Sequence, residues 1–221
     1  MGEGVFADDG FVWLRLDTLF VIVTMAQYKD IFKIKHNDLR PEKGKILISE
    51  PFLQDAYFQR SVVLLVEHDH NGSMGFVVNK PTGLIVNDFF PELKKSPVIP
   101  IYLGGPVSSN RLFFIHSLGP VIPDSVKIEE NLYFDGDFEA LKRYMLSGNP
   151  FNERIKFFLG YSGWTKNQLD GEIVRDSWLV SHSSDRSLML AHDDSFWTHS
   201  VELLGRPYET WINYPKNPEM N

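Results

Sequence analysis

Between Gly160 and Ile173 the chain reads Gly-Tyr-Ser-Gly-Trp-Thr-Lys-Asn-Gln-Leu-Asp-Gly-Glu-Ile. Ser162 nearly fits the Gly-x-Ser-x-Gly elbow that presents a nucleophilic serine, but Trp164 stands where the second glycine belongs. A hydrolase would need Ser162, or a carboxylate such as Glu172, within hydrogen-bond reach of a histidine. His116, His182, His192 and His199 are the candidates, and spacing alone does not bring any of them there. The same residues also suit ligand binding. Trp164 and Tyr161 offer rings for stacking, Gln168 and Glu172 lie one helical turn apart, and Gly160 and Gly163 let a ligand approach the backbone. A second glycine bend, Gly104-Gly105-Pro106, also follows an apolar run. If the two bends meet at one end of a sheet, they frame a pocket lined by Asn79, Gly104, Gly105, Pro106, His116, Gly160, Gly163, Trp164, Gln168 and Glu172.

Other chemistries are poorly supplied. The chain has no cysteine, which removes disulfides, thiolate nucleophiles and Cys-based zinc sites. His68-Asp69-His70 has metal-ligand types but no evident third ligand, and reads as a solvated loop. No phosphate-cradling glycine motif occurs, and no cofactor is implied. A net charge of −7 argues against a broad nucleic-acid surface. The early basic stretch of Lys29, Lys33, Lys35, Arg40, Lys43 and Lys45, offset by Asp30, Asp38 and Glu42, reads as a solvated face.

The elements that must position these residues follow from periodicity. Strands are expected at 45–49 and 61–67, the latter buried because its apolar run is continuous, and at 74–79. Residues 61–79 then form a hairpin with a slightly long loop over 68–73. A short helix is expected over 84–90, and strands at 100–103, 111–116, 126–128 and 132–134. Asp137 is a good N-cap for a helix with Phe138, Leu141, Tyr144 and Met145 on one face. Residues 157–160 read as a strand ending in a tight glycine turn, and Thr165 with Gln168 has the spacing of a capping box opening a helix. Strands at 177–181 and 187–191 and a helix from Asp193 or Asp194 to Gly205 complete the pattern. Strands come first and mix with helices later, with an early tight hairpin. That order favours an α+β domain with a mixed, largely antiparallel sheet. The two main helices form no short-turn pair, so a helix-turn-helix is not indicated.

With 221 residues, 43% of them apolar, the chain can bury one sizeable core. Residues 11–24 are hydrophobic but interrupted by Arg15 and Asp17, and too short and charged to span a membrane as a helix. Met25 begins a stretch that reads like a natural start. Residues 1–24 are therefore expected to be an upstream extension or mis-assigned start, with an N-terminal amphipathic or signal segment as the alternative, and 25–221 one domain with its core at 43–205. The tail beyond Pro207 is polar and Pro-rich, and is expected to be mobile.

Several segments in order now resemble one family. They are Gly44-Lys-Ile-Leu-Ile-Ser-Glu-Pro, Asp55 with Phe58 and Arg60 before Ser-Val-Val-Leu-Leu, Gly75-Phe-Val-Val-Asn-Lys-Pro, Leu103-Gly-Gly-Pro-Val, Leu112-Phe-Phe-Ile-His, and Gly160-Tyr-Ser-Gly-Trp with Gln168-Leu-Asp-Gly-Glu-Ile. Together they look like the AlgH family, across about residues 43–205, with Lys80 where many relatives carry arginine. The resemblance implies a cytoplasmic bacterial protein whose curved sheet forms a partial barrel flanked by helices. Members are commonly labelled transcriptional regulators, and no catalytic residues come with that label. The reading reached is a regulatory protein that binds a small molecule or protein partner and is not an enzyme, with a hydrolase as the alternative.

Overall fold

The apolar run after Ser61 has no polar alternation, and it forms a strand whose first five residues are buried on both faces. The structure is a computed structural model that describes residues 5–8, 11–16, 19–24, 37–53 and 55–216, with side chains from residue 37 onward. The chain divides into two units, residues 1–35 and 36–221. In the first, β1 (Val5–Asp8), β2 (Phe11–Leu16) and β3 (Leu19–Thr24) make an antiparallel meander. Met25, Lys29, Lys33 and Lys35 lie outside the described residues.

The second unit is built on a ten-stranded sheet. Its strands are β4 (Ile46–Ser49), β5 (Val62–Asp69), β6 (Gly72–Val77), β7 (Pro81–Ile85), β8 (Pro100–Leu103), β9 (Val107–His116), β10 (Val126–Glu129), β11 (Leu132–Phe134), β12 (Ile155–Thr165) and β13 (Trp178–Ser181). The main path runs β10-β11-β9-β12-β6-β5-β4-β13, and β7 and β8 join it at β12. All neighbours are antiparallel except β8 and β12, so the α+β reading with a mixed, largely antiparallel sheet holds. The sheet is open but strongly curved. Phe76 on β6 and Phe134 on β11 are three strand spacings apart, about 14 Å in a flat sheet. Their rings nonetheless lie 5.5 Å apart.

Among the described residues, four helices flank the sheet. α1 (Phe138–Leu146) starts where expected, with Asp137 Oδ1 accepting the backbone N–H groups of Glu139 and Ala140, and buries Leu141 and Met145. α2 (Gln168–Val174) shows half of the expected capping box, since Gln168 Oε1 accepts the Thr165 N–H at 3.0 Å. α4 (Asp194–Leu204) buries Trp197 and Val201 and stops at Gly205. α3 (Asp185–Leu190) replaces the strand expected at 187–191. Ser184 caps it by accepting the Ser187 N–H, a signal hidden beneath the short apolar run.

Three further expectations are corrected. Residues 84–90 are not one helix. Pairing with β8 draws residues 81–85 into β7, leaving one 3-10 turn at Val86–Asp88. The hairpin loop is shorter than expected, with Asp69 facing Gly72 across a tight turn that Asp69 Oδ1 closes by accepting the Asn71 N–H at 2.7 Å. The tail is packed rather than mobile over Tyr208–Asn213, where a 3-10 helix buries Tyr208 and Trp211. Residues 217–221 lie outside the described residues.

Two side chains finish the sheet. Asn37 pairs with the outer edge of β13, donating from Nδ2 to the Val180 carbonyl and accepting the Val180 N–H at Oδ1. Lys156 on β12 is 3% exposed and has no acid partner among the described residues. Its ammonium donates to the carbonyls of Leu188, Met189 and Ala191, and sits 3.9 Å from the centre of the Tyr102 ring.

Candidate functional site

β12 runs unbroken from Ile155 to Thr165, so the expected turn between Gly160 and Gly163 is instead a strand with a bulge. The bulge falls between Leu159 and Tyr161, where β9 is also irregular. Gly160 takes φ +69°, a value that a glycine can hold within a strand without strain. The sequence signal for a turn was therefore the signal for a bulge.

The two glycine bends do meet, but backbone against backbone. The Gly104 N–H donates to the Leu159 carbonyl at 2.9 Å. A Cβ on Gly104 would lie 2.1 Å from the Gly160 carbonyl oxygen, and one on Gly105 2.4 Å from the Tyr161 carbonyl. No ligand space separates them at Gly104, Gly105 and Gly160; Pro106 is exposed beyond. Ser162 is fully buried and donates to the Gly104 carbonyl at 3.0 Å. No histidine or carboxylate bonds to it among the described residues, so its hydroxyl serves the sheet and has no activating base.

Asn79 and His116 are likewise committed to structure. Asn79 accepts the Val62 N–H at Oδ1 and donates from Nδ2 to the carbonyls of Arg60 and Asp193. His116 Nδ1 accepts the Leu118 N–H, which leaves Nε2–H to donate to Ser125 Oγ and the Asp135 carbonyl. Burial holds its pKa below the ordinary histidine value, so the ring is neutral at pH 7.

Glu172 also turns inward, and the exposed Gln168 reaches across to it. Glu172 Oε2 accepts the indole N–H groups of Trp164 and Trp178, each at 2.8 Å, while Oε1 accepts from Gln168 Nε2 at 3.0 Å. One carboxylate thus ties α2 to β12 and β13, over a core of Leu47, Val63, Leu65, Val77 and Leu169. Glu172→Ala would leave two indole donors without an acceptor, at an expected cost of about 2–4 kcal/mol. A fall in the urea midpoint would show it, with a smaller fall for Glu172→Gln, which retains one acceptor.

Open space appears at the far end of β12. A cleft of about 620 Å³ is lined by Glu67, Asp69, Met74, Val107, Tyr161, Gly163 and Trp164, among others. Register explains it. Glu67 faces Met74 and Met74 faces Gly163, while Asp69 faces Gly72 and Gly72 faces Thr165. Facing residues on neighbouring strands share one side of a sheet. One row has Gly163, which leaves the surface without a side chain, and the other has Gly72, where a Cβ would lie 2.3 Å from the Trp164 carbonyl oxygen; a trough runs across the strands there. Tyr161 faces Val107 and forms its wall, its ring held edge-on to Phe113 at 5.7 Å. Of the sequence-predicted residues, Tyr161 and Gly163 line the trough, and Trp164 borders it with its indole turned into the core; Glu67, Met74 and Val107 were missed. The glycines at 72 and 163 were the available signal, but only register shows that they fall in adjacent rows. The neighbouring His68-Asp69-His70 stretch gathers no metal-ligand cluster among the described residues, and His68 Nδ1 pairs with Ser73 Oγ at 2.8 Å.

Residues 46–209 match the AlgH-like family over most of this unit. The chain belongs to that family. The AlgH-like chain is 64% identical over 198 residues to a UPF0301 protein of Parabacteroides distasonis, covering 89% of this chain and 100% of that one. It is 47% identical to a UPF0301 protein of Bacteroides thetaiotaomicron, covering 87% and 97%. The solution structure of the AlgH protein from Pseudomonas aeruginosa aligns with a TM-score of 0.62 at 26% identity, over 82% of this chain and 98% of that one. A crystal structure from Corynebacterium diphtheriae shares the fold, with a TM-score of 0.66 at 19% identity, over 82% and 95%. Among the described residues of the AlgH-like chain, no helix is long and apolar enough to cross a membrane.

Proposed function

We propose that this AlgH-like chain is a cytoplasmic, non-enzymatic regulatory protein that binds a small ligand in the trough beside Tyr161, Gly163 and Trp164. The observation that carries this is the cleft of about 620 Å³ that runs along the rows of Gly163 and Gly72. That volume lies within the usual range for small-molecule sites, roughly 300–1,000 Å³. The buried, base-less Ser162 supports a binding role over hydrolysis. The net charge of −7 weighs against action through direct DNA contact.

Titrating a metabolite extract of the native cell into labelled protein is expected to shift the Met74 methyl and Gly163 amide resonances while leaving Val180 unmoved. A Gly163→Val chain that folds normally is expected to lose those shifts and to fail in complementing a deletion strain. Full complementation by that variant would end the proposal.

A further inference from the structure

The trough is chemically lopsided. It crosses β9, β12, β6 and β5, three strand spacings or about 14 Å. At the β9 end its walls are the Val107 side chain and the Tyr161 ring, with the Met74 thioether next along. At the β5 end stand the carboxylates of Glu67 and Asp69, and no lysine, arginine or histidine lines any part of it. Asp69 is fixed by its own turn, where it accepts the N–H groups of Asn71 and Gly72. The Glu67 carboxylate takes part in no hydrogen bond or ion pair among the described residues. Between the two ends lies Gly163, over which the Tyr161 ring and Val107 lean, since a Cβ there would lie 3.1 Å from Tyr161 Cε2 and 3.7 Å from Val107 Cγ2.

We infer that the trough takes a small organic cation, an amine carried on an apolar or aromatic body, with the amine between Glu67 and Asp69 and the body along Met74, Tyr161 and Val107. This deepens the binding reading above and rests on it. The apolar body supplies burial against the ring and thioether. The charge pairs with carboxylates that no lysine or arginine neutralises, His70 being the one basic side chain that acts on Asp69. An anionic ligand of the same shape would meet two like charges, so the same residues that attract the amine reject the acid.

Three probes of one shape separate the possibilities: phenethylamine, neutral 2-phenylethanol and anionic 3-phenylpropionate, each titrated into the full chain and followed at the Met74 methyl resonance. The amine is expected to bind about tenfold or more tightly than the alcohol, a difference of about 1.4 kcal/mol. The acid is expected not to bind, and the preference for the amine should weaken as salt is added. Glu67→Gln, whose carboxylate supports no other contact, is expected to keep the native urea midpoint while losing most of that preference. Gly163→Val should remove binding of both amine and alcohol. Equal affinity for amine and alcohol, or an unchanged preference in Glu67→Gln, would overturn the assignment to cations while leaving the trough as a ligand site. No shift from any of the three at millimolar concentration would overturn both.

Discussion

Gly105→Ala is expected to destabilise the second unit by about 3–5 kcal/mol, enough to remove much of the stability of an ordinary domain. Two costs coincide there. Gly105 holds φ +152°, outside the range that an L side chain readily adopts. The added Cβ would also lie 2.4 Å from the Tyr161 carbonyl carbon and oxygen and 2.5 Å from the Ser162 nitrogen. Backbone atoms cannot rotate away as a side-chain tip can, so β9 and β12 would have to separate at their bulge. Gly83→Ala isolates the dihedral part, since Gly83 also has positive φ, +80°, but nothing within 4 Å of a Cβ. Its expected cost is about 1–2 kcal/mol. Urea unfolding of both variants checks the pair, and equal losses would mean that the close approach of the two bends contributes nothing.

The second large effect is a pH dependence centred on Lys156. Burial pushes its pKa down from 10.5 to about 7. Three carbonyl oxygens and the Tyr102 ring face hold the cation where it persists. Between pH 7 and 10.5 the unfolded chain binds a proton at this residue that the folded chain does not. The folded state therefore gains on the unfolded one as pH rises through that window, by at most about 1.4 kcal/mol per pH unit and about 5 kcal/mol in all. Below pH 7 the full cost of burying the charge remains. Urea midpoints at pH 7.5, 8.5 and 9.5 are expected to rise in the native chain, and to rise distinctly less in Lys156→Met. Parallel slopes in the two proteins would show that Lys156 is not the titrating group.

The sheet class, α1 and α4 were legible because each has a strong local signal: the uninterrupted apolar run of β5, Asp137 as a cap, and Trp197 with Val201 ending at Gly205. The exchanges of helix for strand came where signals were short. The apolar residues of α3 fill little more than one turn, and only Ser184 marks it as helical. β7 exists because β8 lies beside it, which local sequence does not record. The candidate site was half legible. The meeting of the two glycine bends is real, yet glycine there serves contact between strands, and Asn79, His116 and Glu172 are engaged internally. Polar residues near glycines read alike whether they await a ligand or hold two elements together. What separates the cases is the partner across the sheet, such as Met74 beside Gly163, and that is set by register between segments some ninety residues apart.

Asn37 carries a consequence for behaviour in concentrated solution. A terminal strand with free amide and carbonyl groups invites another polypeptide to continue the sheet, the first step toward fibrillar assembly. By offering both a donor and an acceptor to Val180, this asparagine imitates one rung of an additional strand and seals the position with a side chain. The short β13 thus has this rung of its outer edge occupied by a side chain rather than left open.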